Sequence, residues 1–163
     1  MGPAERARVP PFQLFVETHR ESVYRFLLTT VGPNEADDCF QETFLAALRA
    51  YPRLESGDRL DRWILKIASN KALDGHRRRL RSPMPVGEVP DVAGAEGEPR
   101  LEAPDHVLWK AVAELPHRQR TALVLRHVLD RSYEDIADVM GGSDVSARAN
   151  VYQGLKKLRE LIA

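Results

Sequence analysis

The chain is poor in the features that would mark most other classes of protein. A single cysteine, Cys39, in 163 residues excludes an intramolecular disulfide and any multi-thiolate zinc site. It is expected to pack in a core. No apolar run approaches the ~20 residues needed to span a bilayer, so no membrane insertion is expected. The charged N-terminal stretch has no apolar segment of the signal-peptide kind, and a cytoplasmic protein is expected. There is no P-loop, no nucleophile elbow and no glycine-rich nucleotide fingerprint. The five histidines, His19, His76, His106, His117 and His127, form no i, i+4 metal pair with a carboxylate. Neither an enzyme nor a bound cofactor or metal is therefore expected. β-Branched residues are few beside Leu, Ala, Arg and Glu, which points to an all-α fold.

The net charge is also zero, but that sum hides a pattern. Residues 1–82 carry +3, residues 83–105 carry −5, and residues 106–163 carry +2. The acidic middle coincides with residues 82–104, which hold five prolines and three glycines and no aromatic residue. Such a stretch cannot sustain a helix or bury enough surface to order itself. It is expected to be a flexible linker between two small helical domains, at 10–81 and 105–163. Zero net charge does not exclude nucleic acid, because local patches set the field at a contact.

The last thirty residues carry the strongest local signal. Ser132 is a candidate N-cap, and Asp135 three residues on completes a capping-box-like pair. A short helix over 133–140 would end at Gly141-Gly142, where glycine permits a left-handed exit. Ser143 can cap a long helix over 144–161 whose polar side carries Ser146, Arg148, Asn150, Gln153, Lys156 and Lys157. This is the layout of a helix-turn-helix, and Arg, Asn and Gln are side chains that read base edges in the major groove. Two further helices precede it. Asp105 would cap one over 106–115, with Val107, Leu108, Ala111, Val112 and Leu115 inward; the other covers 118–129, with Ala122, Leu125, Val128 and Leu129 inward.

The N-terminal half reads as three helical stretches. The first covers 12–31, with a break expected near Arg20, and stops at Gly32-Pro33. Asn34 would cap the second, in which Ala36, Phe40, Phe44, Leu48 and Tyr51 form a buried stripe. The third covers about 59–80, with Trp63, Ile64, Ile67 and Ala68 apolar. On its opposite side Lys66, Asn70, Asp74, Arg77 and Arg81 recur at i, i+4, i+8, i+11 and i+15, flanked by Arg78 and Arg79. Arginines at a helix C-terminus complement the helix dipole. They are equally suited to phosphate contact, and Asn70 and Asp74 add hydrogen-bonding capacity that the dipole does not require.

These pieces occur in a telling order: WILKIASNKALDGHRRRLR, an acidic Pro/Gly segment, LPHRQRTALVLRHVLDRSYEDIADVM and SARANVYQGLKKLREL. The order resembles the extracytoplasmic-function (ECF) sigma factors of the sigma-70 family, which keep only sigma regions 2 and 4. The resemblance runs from about Phe12 to Leu161. It implies a region 2 bundle of three to four helices at 10–81 and a region 4 helix-turn-helix domain at 105–163. It implies core RNA polymerase and promoter DNA as partners, and an anti-sigma factor as the usual inhibitor. By resemblance, Asp38, Gln41, Glu42 and Leu45 dock on core polymerase. Lys66, Asn70, Asp74, Arg77, Arg78 and Arg79 meet the −10 element, and residues 53–58 form the loop that captures a flipped base. Trp63 either supports that loop or packs in the core. Ser146, Arg148, Asn150, Gln153 and Lys156 meet the −35 element.

The chain departs from the common pattern at Gly142, where an apolar residue is usual, and at Asn150, where Arg is frequent. Gly154 lies inside the long helix, where it costs about 1 kcal/mol against Ala. A looser turn and an unusual −35 preference are the expected consequences. The alternative reading is a stand-alone helix-turn-helix regulator, which would need a dimer surface to match paired half-sites. No spare apolar face for one is evident in the sequence.

Overall fold

The computed structural model describes residues 7–81 and 103–163. The acidic segment, except for its last two residues, lies outside them. Helix α1 (Phe12–Val31) runs unbroken through Arg20 for 20 residues and ends at Gly32. Helix α2 (Pro33–Ala50) starts on Pro33, not at an Asn34 cap. Proline suits the first turn of a helix, because its fixed φ is helical and its missing N–H would have no partner there. A short 3-10 turn, Tyr51–Arg53, leads to α3 (Leu60–Arg81). Then come α4 (Ala103–Ala113), α5 (His117–His127), α6 (Tyr133–Met140) and α7 (Asp144–Ile162). Asp105 lies inside α4, which begins two residues earlier, so it is not the N-cap.

Helix α2 is rotated relative to the stripe that its large residues suggest. Its buried positions are Ala36, Cys39, Thr43 and Ala47. Phe40 and Phe44 are half-buried at the edge, and Leu48 is half exposed. Small side chains take the innermost positions because α2 and α3 approach closely. At Gly75 of α3, a methyl group would sit 3.9 Å from the Cys39 sulfur and 3.6 Å from the Glu35 carboxylate. The large rings gather at one end instead. Phe15 lies 5.3 Å from Tyr51, 5.6 Å from Trp63 and 6.3 Å from Phe44, centroid to centroid. Trp63 thus packs in an aromatic core. Val107 of α4, expected inward, is exposed.

The two regions pack on each other. Their buried residues form one continuous apolar cluster, from Phe15 in α1 to Val151 in α7. Helix α5 lies at the centre, with Arg120, Thr121, Ala122, Leu123, Val124 and Leu125 all buried in succession. It packs on α7 on one side and on α1 and α3 on the other. Arg120 closes the junction. Its guanidinium donates to the carbonyl oxygens of Thr30 at 2.8 Å and of Ala113 and Leu115 at 2.9 Å. Those carbonyls lie at the ends of α1 and α4, where the last carbonyls of a helix lack intrahelical donors and the dipole is negative. A buried cation is tolerated here because helix ends surround it.

Candidate nucleic-acid interface

Helix α3 presents the N-terminal half of the candidate surface. Lys66, Asn70, Asp74, Arg77 and Arg81 are exposed along it, as their spacing requires, and so is Arg78. The Arg79 side chain lies outside what is described. Near the helix C-terminus, Lys71, Asp74, Arg77, Arg78 and Arg81 line an open cleft of about 450 Å³ together with Glu42 of α2. Glu42 is half-buried and sits 3.6 Å from the Arg78 guanidinium. It therefore belongs to the α3 cleft, apart from Asp38, Gln41 and Leu45, which are open to solvent. Leu48, expected in the buried stripe from its helical spacing, is half exposed and joins those three.

The loop after the 3-10 turn is covered from the N-terminal side. Gly57 N–H donates to the Ala7 carbonyl at 2.7 Å, and the Tyr51 hydroxyl donates to the Pro10 carbonyl. Any side chain at Gly57 would collide with the Arg8 backbone. Ser56 and Asp58 hydrogen-bond each other across the loop tip, at 3.0 Å between side chains.

The C-terminal half is built on the helix-turn-helix. Ser132 Oγ accepts the Asp135 N–H at 3.1 Å, as a cap should. The Asp135 carboxylate does not complete the box; it turns away and pairs with Arg62 of α3. Gly141 takes the left-handed conformation at φ 71° and ends α6. The following turn is firmly closed. Ser143 Oγ accepts the Ser146 N–H at 3.1 Å, and Ser146 Oγ accepts the Ser143 N–H at 3.0 Å. A side chain at Gly142 would press on the Ser146 hydroxyl at 2.7 Å, so glycine there makes room for the reciprocal cap. The departure at Gly142 thus gives an ordered turn, not a loose one.

This capping takes Ser146 out of the group of free polar side chains, since its hydroxyl also donates to the Ser143 carbonyl at 2.9 Å. Asn150 is half-buried. The side of α7 open to solvent carries Val145, Arg148, Ala149, Tyr152, Gln153 and Lys156. Val145 and Tyr152, which the polar pattern of the helix does not include, are 77% and 65% exposed. Arg148 is held over the Tyr133 ring at 4.4 Å, and Arg126 of α5 lies against the same ring at 4.3 Å. Such stacking restricts a long side chain while leaving its N–H groups available. Gly154 is buried, and a methyl group there would sit 3.3 Å from the Gln119 carbonyl, which explains why glycine stands inside this helix.

Comparison with known proteins decides the family. The sigma-70 region 2 profile matches residues 15–82, and the sigma-70 region 4 profile matches residues 105–158. The RNA polymerase sigma factor CarQ of Myxococcus xanthus is 33% identical over 93% of this chain and 88% of its own. The ECF RNA polymerase sigma factor SigC of Mycobacterium tuberculosis is 31% identical over 79% of this chain and 71% of its own.

The chain belongs to the ECF group of the sigma-70 family.

Its fold is similar to that of the sigma factor RpoE of Bartonella quintana, solved with the anti-sigma factor NepR. The TM-score is 0.74 at 23% identity, covering 93% of this chain and 96% of that one. CnrH, solved with the cytosolic domain of CnrY, gives a TM-score of 0.68 at 19% identity, covering 93% of this chain and 86% of that one.

The boundary between the two regions of this sigma factor is charged. Arg62 of α3 pairs with Asp135 of α6 and lies 3.9 Å from Glu134 and 4.0 Å from Asp138. Lys66 lies 3.8 Å from Asp138. In the reverse direction, Arg131 bonds Asp61. Burial pushes the Asp61 carboxyl up, but the hydrogen bonds from Arg131 and the local backbone outweigh it and hold Asp61 below its ordinary value. His19 of α1 sits nearby, lowered by its own burial, with Asp61 pulling it up and Arg131 pushing it down. The His76 and His117 rings stack across the boundary at 5.1 Å and 18°. Among the described residues no helix is long and apolar enough to cross a membrane.

Proposed function

We propose that the chain selects promoters for bacterial core RNA polymerase, as one subunit of the holoenzyme and without chemistry of its own. Region 2, at residues 10–81, docks on the enzyme and engages the −10 element. Region 4, at residues 105–163, engages the −35 element. Residues 82–104 connect them and, being acidic, suit a positively charged channel. The exposed side of α2, with Asp38, Gln41, Leu45 and Leu48, is the polymerase surface. Its mix of apolar and polar groups beside a firm core is what a docking helix needs. The α3 cleft, with Asn70, Asp74, Arg77, Arg78 and Arg79, is the −10 surface, where cationic side chains meet phosphates and melted bases.

On α7, Arg148, Gln153 and Lys156 remain the groove-facing set, and Ser146 and Asn150 take supporting places. Val145 and Ala149 add apolar contact of the kind that reads thymine methyl groups. The working compartment is the cytoplasm, where the polymerase acts. An anti-sigma factor is the partner expected to restrain it, since RpoE, a relative in fold, is held by one. The observation that carries the reading is the pairing of two family regions, in order, with an exposed basic helix in each.

The test is co-elution with core polymerase followed by run-off transcription. Stoichiometric binding, lost on changing Asp38, Gln41 and Leu45 together, is the expected result. A chain that binds promoter duplex tightly as a free protein and ignores core polymerase would overturn the reading.

A further inference from the structure

Tyr133 is the first residue of α6, and side chains of α5 and α7 meet on its ring. Ser132 caps the helix immediately before it, accepting the Asp135 N–H at 3.1 Å, so the backbone of Tyr133 is fixed. The ring is half-buried and packs on the core cluster. An aromatic side chain has only two rotatable bonds, and with its backbone capped and its ring packed it is a rigid plate.

The two cations on that plate are held differently. The Arg126 guanidinium, 4.3 Å from the ring centroid, is half-buried and also donates to the Arg131 carbonyl at 3.1 Å. The Arg148 guanidinium, 4.4 Å from the centroid, belongs to an exposed side chain. Among the described residues it has no hydrogen bond or ion pair beside the ring contact. Loss of the ring would leave Arg126 with its second anchor and Arg148 with none.

This asymmetry bears on how a base is read. Arginine recognises guanine through two parallel hydrogen bonds, to O6 and N7, which require a fixed plane and a fixed approach. A free arginine on a helix surface spreads over many rotamers and must give up that freedom at the base. A guanidinium stacked on a ring has its plane set in advance, with its N–H edges pointing away from the stack.

We infer that Tyr133 is a specificity-determining residue for the −35 element, a positioning residue that acts by aiming Arg148 at a guanine edge. The inference rests on the reading of α7 as the −35 helix. Part of the −35 preference is then set on α6, by the ring at its first position, and not on the reading helix alone.

The experiment uses the full chain in holoenzyme and a promoter library randomised through the −35 region. Sequencing of the bound fraction gives the preference at each base pair. Arg148→Ala marks the base pair that Arg148 reads, expected to be G·C. Tyr133→Leu keeps an apolar side chain on the core and removes the ring face, whereas Tyr133→Phe keeps the face and removes the hydroxyl. The leucine variant is expected to lower the preference at that same base pair by about two- to fivefold, the worth of one exposed cation–π contact. The phenylalanine variant is expected to keep the wild-type preference. In an Arg148→Ala background, Tyr133→Leu should change that preference no further, because the two residues act as one unit. Should the leucine variant fail to fold, pentafluorophenylalanine at position 133 keeps the shape of the ring and reverses its charge distribution, and the same loss is expected.

A wild-type preference in the leucine variant, beside a flattened base pair in Arg148→Ala, would overturn the inference and leave the −35 reading standing. A loss of affinity spread evenly over all sequences would also overturn it, since the ring would then serve packing alone. If Arg148→Ala flattens no base pair, the −35 reading of Arg148 falls and the inference falls with it.

Discussion

Helices α3 and α7 are alike in sequence and opposite in circumstance. Each is long, each carries Arg, Lys and Asn along one side, and each is the helix proposed to meet nucleic acid in its region. On α3 the first cations of the row are engaged: Arg62 on three carboxylates and Lys66 on one of them. On α7, Arg148 shares the Tyr133 ring with Arg126, and among the described residues neither cation has a carboxylate at ion-pair distance. A surface pattern thus states which residues face outward, and the partner that meets them decides whether they are available. Arg62 and Arg131, with carboxylate partners across the boundary, tie the two regions together, whereas Arg126 and Arg148 rest on a ring.

The comparison breaks most completely at Arg120, which supports both helices through the shared core. Arg120→Met leaves three helix-end carbonyls without their donor, and chemical denaturation should show a loss of about 3 kcal/mol or more. A loss below about 1 kcal/mol would mean that solvent reaches those carbonyls.

The two arginines on Tyr133 sharpen the contrast next. Arg148→Ala in holoenzyme should cost about 1–3 kcal/mol of discrimination at one base pair of the −35 element, with little change in stability. Arg126→Ala should weaken all −35 duplexes alike and lower the slope of log affinity against log salt by about one. If the two variants behave identically, the division between a base contact and a phosphate contact is wrong.

Gly154→Ala tests the packing behind α7. Alanine gains about 1 kcal/mol of helix propensity. Its methyl must then displace the Gln119 backbone carbonyl, with which it would be in contact at 3.3 Å. Overpacking of this kind costs about 1–3 kcal/mol, so a net loss near 1 kcal/mol is expected in thermal or urea unfolding. A stabilised variant would show that α5 and α7 can separate freely.

The smallest effect is on pH. His19 lies below its ordinary value of 6.5, and Asp61 lies below 3.8. A depressed value means that the stabilising contribution is complete above the ordinary value and is lost as pH falls through the lowered one. Folding stability should therefore hold at pH 7 and fall first in the acid range below 6.5, through His19. A second loss follows below 3.8, through Asp61. Urea unfolding at each pH should show the first step, and His19→Gln should remove it. A stability that is constant from pH 7 to pH 5 would mean that His19 is as open to water in the folded chain as in the unfolded one.

The local features were legible because they depend on neighbours in the chain. Ser132, Gly141 and Ser143 gave the ends of α6 and α7 almost to the residue, since caps and glycine exits act within three or four positions. The row from Lys66 to Arg81 was legible for the same reason, as one side of a regular helix. The inner face of α2 was not. Its large residues suggested the buried stripe, but close helix packing chose Ala36, Cys39, Thr43 and Ala47. Ser146 was legible as a residue on the polar side of α7, but its reciprocal cap with Ser143 was not.

By itself, then, the sequence determined the helices, their order, and the two regions whose family it shares. Periodicity and capping are properties of short stretches, and the ordered motifs needed no coordinates. Only the tertiary structure decided that α6 sits on α3, that Arg120 binds three helix ends, and that Arg126 and Arg148 meet on one ring. Those contacts join residues that are mostly far apart in the chain. They arise because burying a common core around α5 brings charges together, and no local pattern records which carboxylate each arginine will meet.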